Sequence, residues 1–393
     1  MKIRIILTIL FALVLSGCVG PKDASGWHSS QKSEFLNILK QDKYLSICDQ
    51  QALYQKVRTS GNTQLMTKLL VEYTDNLANS CLVNTKGFTA YRQKVSTADI
   101  QRQLNAGQSI EKILKPYVPE YRQFRVLIAA YHATNDPQLK HKIRLNIERI
   151  KLMKPGLGKT YALVNIPEFK VRIIENDKTA VEMKVVVGKP KNQTPIFSEE
   201  LKYIVLNPTW NVPDSIARNE IIPKTLRNPG YLKSHRLVVR KDYNLDSPAQ
   251  SFNPSLARNY VGGKGPVPFK FIEVPSNRNA LGRVKFIFPN HHSVYMHDTP
   301  AKSLFKRKTR AFSHGCVRLE KPQYMLEYLS KNYTAHEYAD VIEKYNSMKT
   351  HYLKIVKRLP VHTVYLTTYV EDDGRLYSFG DIYGFDKSQR LNF

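Results

Sequence analysis

Residues 161–188 read YALVNIPEFKVRIIENDKTAVEMKVVVG, three short runs rich in valine, isoleucine and aromatic side chains with partial apolar–polar alternation. Pro167 separates the first two runs, and Glu175, Asn176 and Asp177 separate the second and third, so the pattern predicts three strands joined by short turns. KPGLGKT at 154–160 marks the change of texture that opens this β-rich region. RVKFIFP at 283–289, HSVYMHD at 292–298, VHTVYLTTYV at 361–370 and RLYSF at 375–379 continue it. The last two flank Glu371, Asp372, Asp373 and Gly374, which read as the turn of a hairpin.

Upstream the periodicity is different. Segments such as EFLNILKQDKYL (34–45) and EYRQFRVLIAAYH (120–132) repeat apolar residues three and four apart, with breakers at Ser60-Gly61-Asn62 and Asn135-Asp136-Pro137. Between 214 and 277 periodicity weakens, prolines accumulate and GGKGP appears at 262–266, the signature of an insertion. After Pro322, QYMLEYLSKN and HEYADVIEKYN return to helical spacing. The expected fold class is α+β: a helical scaffold over 29–152, a mainly β domain over 155–332 with an inserted subdomain over 214–277, and a helix and β-hairpin over 333–393 that complete it.

Lys and Arg number 60 against 33 Asp and Glu, a formal net charge of +27 in 393 residues, which points to a polyanionic partner. Nucleic acid, anionic lipid and carboxylate-rich wall peptide all satisfy that sign, so the compartment decides. MKIRIILTILFALVLSGC at 1–18 has two early cations, an apolar run and small residues before a cysteine, the layout of an export signal. The run over 5–15 falls short of the roughly 20 residues that span a bilayer. LSGC resembles a bacterial lipobox, which makes Cys18 the expected lipidation site and 19–28 a tether; a plain cleaved signal is the alternative. Nucleic acid then drops out, leaving a lipid-anchored periplasmic protein, with Val19 tilting the anchor to the outer membrane.

In an oxidising compartment the remaining cysteines are Cys48, Cys81 and Cys316. A disulfide between Cys48 and Cys81 is the preferred reading, two buried thiols the other. Cys316 lies in AFSHGCVRLE (311–320), beside groups that lower a thiol's pKa: His314, Arg318 and, at the end of a strand, His297. Gly315 has no β-carbon, so the backbone can turn there and aim the amides of Gly315 and Cys316 at a developing oxyanion. On this spacing alone a packed, inert thiol remains open.

His-Asp-Thr at 297–299 followed by Ser313-His314-Gly315-Cys316 resembles the signature of the L,D-transpeptidase catalytic domain. LVNIPEFKVRIIE, VVVGKPKNQTPIF, VLNPTWNVPDSIARNEIIPK, NALGRVKFIFPN, VYMHDTPAKSLF, RAFSHGCVRLEKP and YLTTYVEDDGRLYSFGDIYGFD resemble successive blocks of the family's long Gram-negative variety, over roughly 147–386. Three departures stand out. Arg318 occupies a position where the short pattern often has asparagine, VPSNRNALG lacks the usual Pro-Gly turn, and no room is left for the small peptidoglycan-binding module that normally precedes NIERIKLM.

The resemblance implies a cysteine acyltransferase acting on peptidoglycan stem peptides. Cys316 thiolate attacks the carbonyl before the D-Ala at position four, D-Ala leaves, and an amine of a second stem resolves the thioester into a 3→3 cross-link. His297 carries the proton, its tautomer fixed by the carbonyl of Asp298, and His314 shapes the site or shares in proton transfer. Ser313, Arg318 and Arg310 are placed toward substrate, within a basic run containing Lys302, Lys306, Arg307 and Lys308, and 214–277 becomes a lid. No cofactor is implied. No metal is expected either: adjacent His291 and His292 on a strand point to opposite faces, and the acidic turn at 371–373 has no following ligands. The alternatives are an L,D-carboxypeptidase or amidase in which water resolves the thioester, attachment of the stem to a lysine of an envelope protein, and a non-catalytic wall-binding lipoprotein.

Overall fold

The structure, a computed structural model, describes residues 22–392 except 157; Cys18 and the export segment lie outside them. None of the described helices is long and apolar enough to cross a membrane. The chain forms two compact units. One comprises 22–79 with Gln93–Val118, the other Ser80–Arg92 with Pro119–Asn392.

The first unit is helical: Ser29–Gln41, Gln51–Ser60, Thr63–Asn79, Thr97–Asn105 and Ile110–Leu114. Its core forms around Trp27, Phe35 and Tyr73, all fully buried, with Phe35 and Tyr73 edge to face at 6.2 Å. Ser96 and Ser109 start the last two helices by accepting from the amides of Asp99 and Lys112, satisfying donors that a first turn leaves unpaired. Helical texture extends past this unit, as the sequence indicates. Yet the helices Arg122–Ala133 and Pro137–Lys151 belong to the second unit, so the compact boundary does not fall at 152. The reason is polar: Arg149 pairs with Asp386 at 2.7 Å, and Asn146 accepts from the Thr367 amide at 2.7 Å, tying the second helix to the chain's C-terminal segments.

The second unit is built on sixteen described strands: β1 (Tyr161–Asn165), β2 (Lys170–Glu175), β3 (Lys178–Gly188), β4 (Phe197–Glu200), β5 (Tyr203–Leu206), β6 (Trp210–Asn211), β7 (Leu237–Arg240), β8 (Lys270–Glu273), β9 (Val284–Ile287), β10 (Met296–His297), β11 (Ala311–Ser313), β12 (Val317–Leu319), β13 (His351–Lys354), β14 (Pro360–Val364), β15 (Thr368–Val370) and β16 (Leu376–Ser378). The expected strand triplet is β1, β2 and β3, paired in antiparallel order. The large sheet runs β13-β5-β9-β10-β12-β3-β2-β1-β14-β4, with β11 beside β3. Val185, Val187, Ile204, Phe286, Met296 and Val317 point from it into one apolar core, which the helix Pro322–Tyr333 joins through Met325, Leu326 and Leu329. Each such fully buried side chain contributes roughly 1.5–3 kcal/mol.

The insertion has a core of its own. β6, β8 and β7 form a three-stranded sheet, and Val212, Ile221, Ile222, Val239, Phe269 and Phe271 cluster beneath it. The acidic turn after β15 is a hairpin turn, with Gly374 at φ +84°. Glu371 reaches back to fully buried Arg172 at 2.6 Å, and Glu168 and Glu182 complete the same guanidinium's partners. The three carboxylates share two cations, Arg172 and Lys170, each paired with all of them.

Candidate active site

Side-chain alternation places the site. β13, β5, β9, β10 and β12 are neighbours, and their registers align Tyr352 with Val205, Val205 with Lys285, Lys285 with His297, and His297 with Arg318. Those five residues form a row across one face of the sheet, while their sequence neighbours Phe286, Met296 and Val317 enter the core on the other. Cys316 immediately precedes β12, and the Val317 amide donates to the Tyr295 carbonyl at 3.0 Å. Cys316 and Arg318 thus share a face with Tyr295 and His297, the thiol and imidazole standing as diagonal neighbours.

All of these residues line one cavity of about 540 Å³. The sheet supplies its floor. Trp210, Asn211, Ile216 and Glu220, from the insertion and the strand leading into it, supply the opposite wall, with Asn192, Ser293 and His314 at the nucleophile's end. The expected lid therefore contributes directly to the pocket. Near Glu220 the helix widens into one turn of π-helix, Ala217–Ile221, a distortion common where a helix serves a site.

His297 is buried, and its Nδ1 lies 2.5 Å from the carbonyl oxygen of Asp298. That carbonyl accepts the Nδ1–H, which leaves Nε2 as the basic nitrogen. Burial, then the positive charge of Arg318, pushes the ring's pKa down to about 3, outweighing the carbonyls of Asp298 and Leu281 that favour its protonation. Lys285, opposite it on β9, acts in the same direction. The Asp298 carboxylate is itself anchored: Thr299 and Arg283 amides donate to it at 2.7 and 2.9 Å, and Lys302 Nζ lies 2.8 Å away.

Cys316 is half-buried, its thiol 3.8 Å from the Ser293 carbonyl. Burial raises its pKa, opposed by hydrogen bonding with Tyr295 and by Lys285 and Arg318. The resting site is thus a neutral thiol beside a neutral imidazole. Both groups are desolvated, and two cations next to the ring disfavour imidazolium.

The turn ahead of Cys316 is held by two hydroxyls, those of Ser313 and Thr194. Gly315 takes φ +118°, where glycine is favoured, and Thr194 Oγ1 donates to its carbonyl at 2.8 Å. Ser313 Oγ accepts from the Gly315 amide at 3.1 Å and donates to the Cys316 carbonyl at 2.5 Å. The Gly315 amide is therefore occupied, which leaves Cys316's as the remaining candidate of the expected oxyanion pair, and Ser313 supports the turn rather than reaching outward.

His314 Nε2 meets Glu220 Oε1 at 2.7 Å, with Lys189 Nζ at 3.4 Å. Arg318 faces the cavity, and its Nε has no hydrogen-bond partner among the described residues. Arg310 does not join it. That guanidinium is buried, donates to the carbonyls of Val185, Phe169 and Arg307, and stacks on Phe169, so it holds β3 and its own loop together. The cavity's cations are Lys285 and Arg318 rather than the basic run. Cys48 and Cys81 are both disulfide-bonded, and Cys316 is free.

Sequence reading missed Lys285, Tyr295 and Glu220. Tyr295 was recoverable by counting alternation back from His297; Lys285 lies on the neighbouring strand β9, across a loop, and Glu220 in an insertion, contacts that no local pattern encodes.

A mainly β domain thus presents a thiol and a buried imidazole to one cavity walled by an insertion. Residues 159–341 match the family model for the YkuD L,D-transpeptidase catalytic domain. A Haemophilus influenzae protein named "Putative L,D-transpeptidase" is 27% identical over 342 residues, covering 83% of this chain and 67% of the relative. Among solved structures, an Enterococcus faecium L,D-transpeptidase aligns over 76% of this chain and 82% of its own, at 13% identity and TM-score 0.26. One from Mycobacterium smegmatis aligns over 52% of this chain and 58% of its own, at 11% identity and TM-score 0.24.

Proposed function

We propose that this chain forms 3→3 cross-links between peptidoglycan stem peptides through a thioester on Cys316. The observation that carries this reading is the placement of Cys316, Tyr295, His297 and Arg318 on one face of the sheet, inside one cavity. As Sγ attacks the carbonyl before the terminal D-Ala, His297 Nε2 takes the thiol proton, and the same proton passes to the departing amine as the C–N bond breaks. The growing negative charge on sulfur is what makes the otherwise unfavourable imidazolium attainable. The Cys316 amide and Arg318 face the oxyanion and the donor's carboxylates. The side-chain amine at position three of a second stem then attacks the thioester, the C–S bond breaks, and the thiol is restored.

Lipidation at Cys18 and residence in the periplasm, at the outer membrane, complete the proposal; both rest on the sequence of the first nineteen residues. The experiment is a chromatogram of digested walls. In a strain lacking this protein 3→3 dimers should fall; tetrapeptides or dimers that accumulate instead would replace transfer with hydrolysis.

A further inference from the structure

Among the described residues lining the cavity, Glu220 is the one carboxylate, facing a floor whose charges are Lys285 and Arg318. Its Oε1 rests on His314 Nε2 at 2.7 Å, two residues before the nucleophile, and its Oε2 is 3.5 Å from Lys224. The side chain is 35% exposed, so a ligand can reach it. The cavity is therefore electrostatically divided: cations on the sheet suit the carboxylates of a donor peptide, and a single anion on the inserted wall suits a cation arriving from the other side.

We propose that Glu220 binds the ammonium group of the incoming acceptor and thereby favours amine over water in resolving the acyl-enzyme. This rests on the thioester reading above and extends it to the second substrate. In the resting enzyme the carboxylate is parked on His314. An acceptor ammonium competes with that imidazole for it, is brought beside Cys316 because His314 and Cys316 belong to one short turn, and attacks as the free amine after giving one proton to His297 Nε2. The charged groups facing His314 are Glu220 from the insertion, Lys189 from the segment after β3 and Arg318 from β12, and only Glu220 attracts a cation. Lys224 competes for the outer oxygen from a solvated position, where an ion pair is weak.

The test uses the full-length protein in detergent, a stem tetrapeptide donor, and two resolving nucleophiles compared with water: an amine-bearing stem peptide and hydroxylamine, which is uncharged near pH 7. Glu220→Gln should lower the amine-to-water partition at least tenfold and raise KM for the amine acceptor. Partition to hydroxylamine should stay within about twofold of wild type, and Glu220→Asp should restore part of the loss. Equal losses with both nucleophiles, or an unchanged amine partition, would overturn the inference while leaving the thioester reading intact. Failure of wild type to form any acyl adduct would overturn both.

Discussion

His297 stands directly opposite Arg318 in the parallel pair of β10 and β12, and opposite Lys285 on its other side. A histidine between two cross-strand cations is held neutral, and the same cations lie near the thiol that must ionise. One arrangement therefore weakens the base at rest and favours the thiolate once attack begins.

Removing one of those cations should separate the two effects. Lys285→Met leaves the Cys316 thiol with less opposing charge, so its pKa rises further and its alkylation profile moves to higher pH. The His297 pKa rises too, since a repelling charge is gone. Iodoacetamide rates across a pH series read the first shift, and ring-proton titration by NMR reads the second.

Gly282 is fixed by its neighbour. Its φ is +61°, and a β-carbon there would meet Asp298 Oδ2 at 2.2 Å. Gly282→Ala should cost roughly 1–3 kcal/mol in urea unfolding. It should also slow acylation more than substrate binding, because the displaced Asp298 carries the carbonyl that orients His297.

Arg172 is fully buried among Glu168, Glu182 and Glu371. Arg172→Met leaves three clustered carboxylates with Lys170 as their remaining counter-charge and should destabilise the second unit by about 3–5 kcal/mol. Thermal unfolding reads the loss, and reaction at Cys316 should persist at temperatures where the variant stays folded.

His362 is a second buried imidazole. Its Nδ1 lies 2.7 Å from Ser198 Oγ, and burial pushes its pKa from 6.5 to about 3. The unfolded chain accepts the proton first, so the stabilising contribution is full above pH 6.5 and is lost as pH falls toward 3. His297 adds the same dependence. In His362→Gln the slope of Tm against pH across that window should flatten.

Much of this is legible in the sequence where the physics is local. Alternation in 161–188 marks three strands, loss of periodicity marks the insertion, and the motif at 313–316 marks the free cysteine at the cavity, because strand period and turn chemistry each act over a few residues. What escapes is set by packing between distant segments. Arg310 and Arg318 look equivalent as basic residues flanking the motif, yet one is enclosed by carbonyls of β3 and its own loop and the other opens on the cavity. The Gly315 amide reads as an oxyanion donor until Ser313 is seen to occupy it. The limit of the helical unit depends on Arg149 meeting Asp386 far along the chain, which helical periodicity cannot reveal.

Intact-mass spectrometry of the protein mixed with a stem tetrapeptide measures the central claim most directly. Wild type should gain the mass of the peptide less D-Ala, free D-Ala should appear in step, and Cys316→Ala should show neither. D-Ala released equally by Cys316→Ala, or a wild-type mass that never changes, would contradict the account.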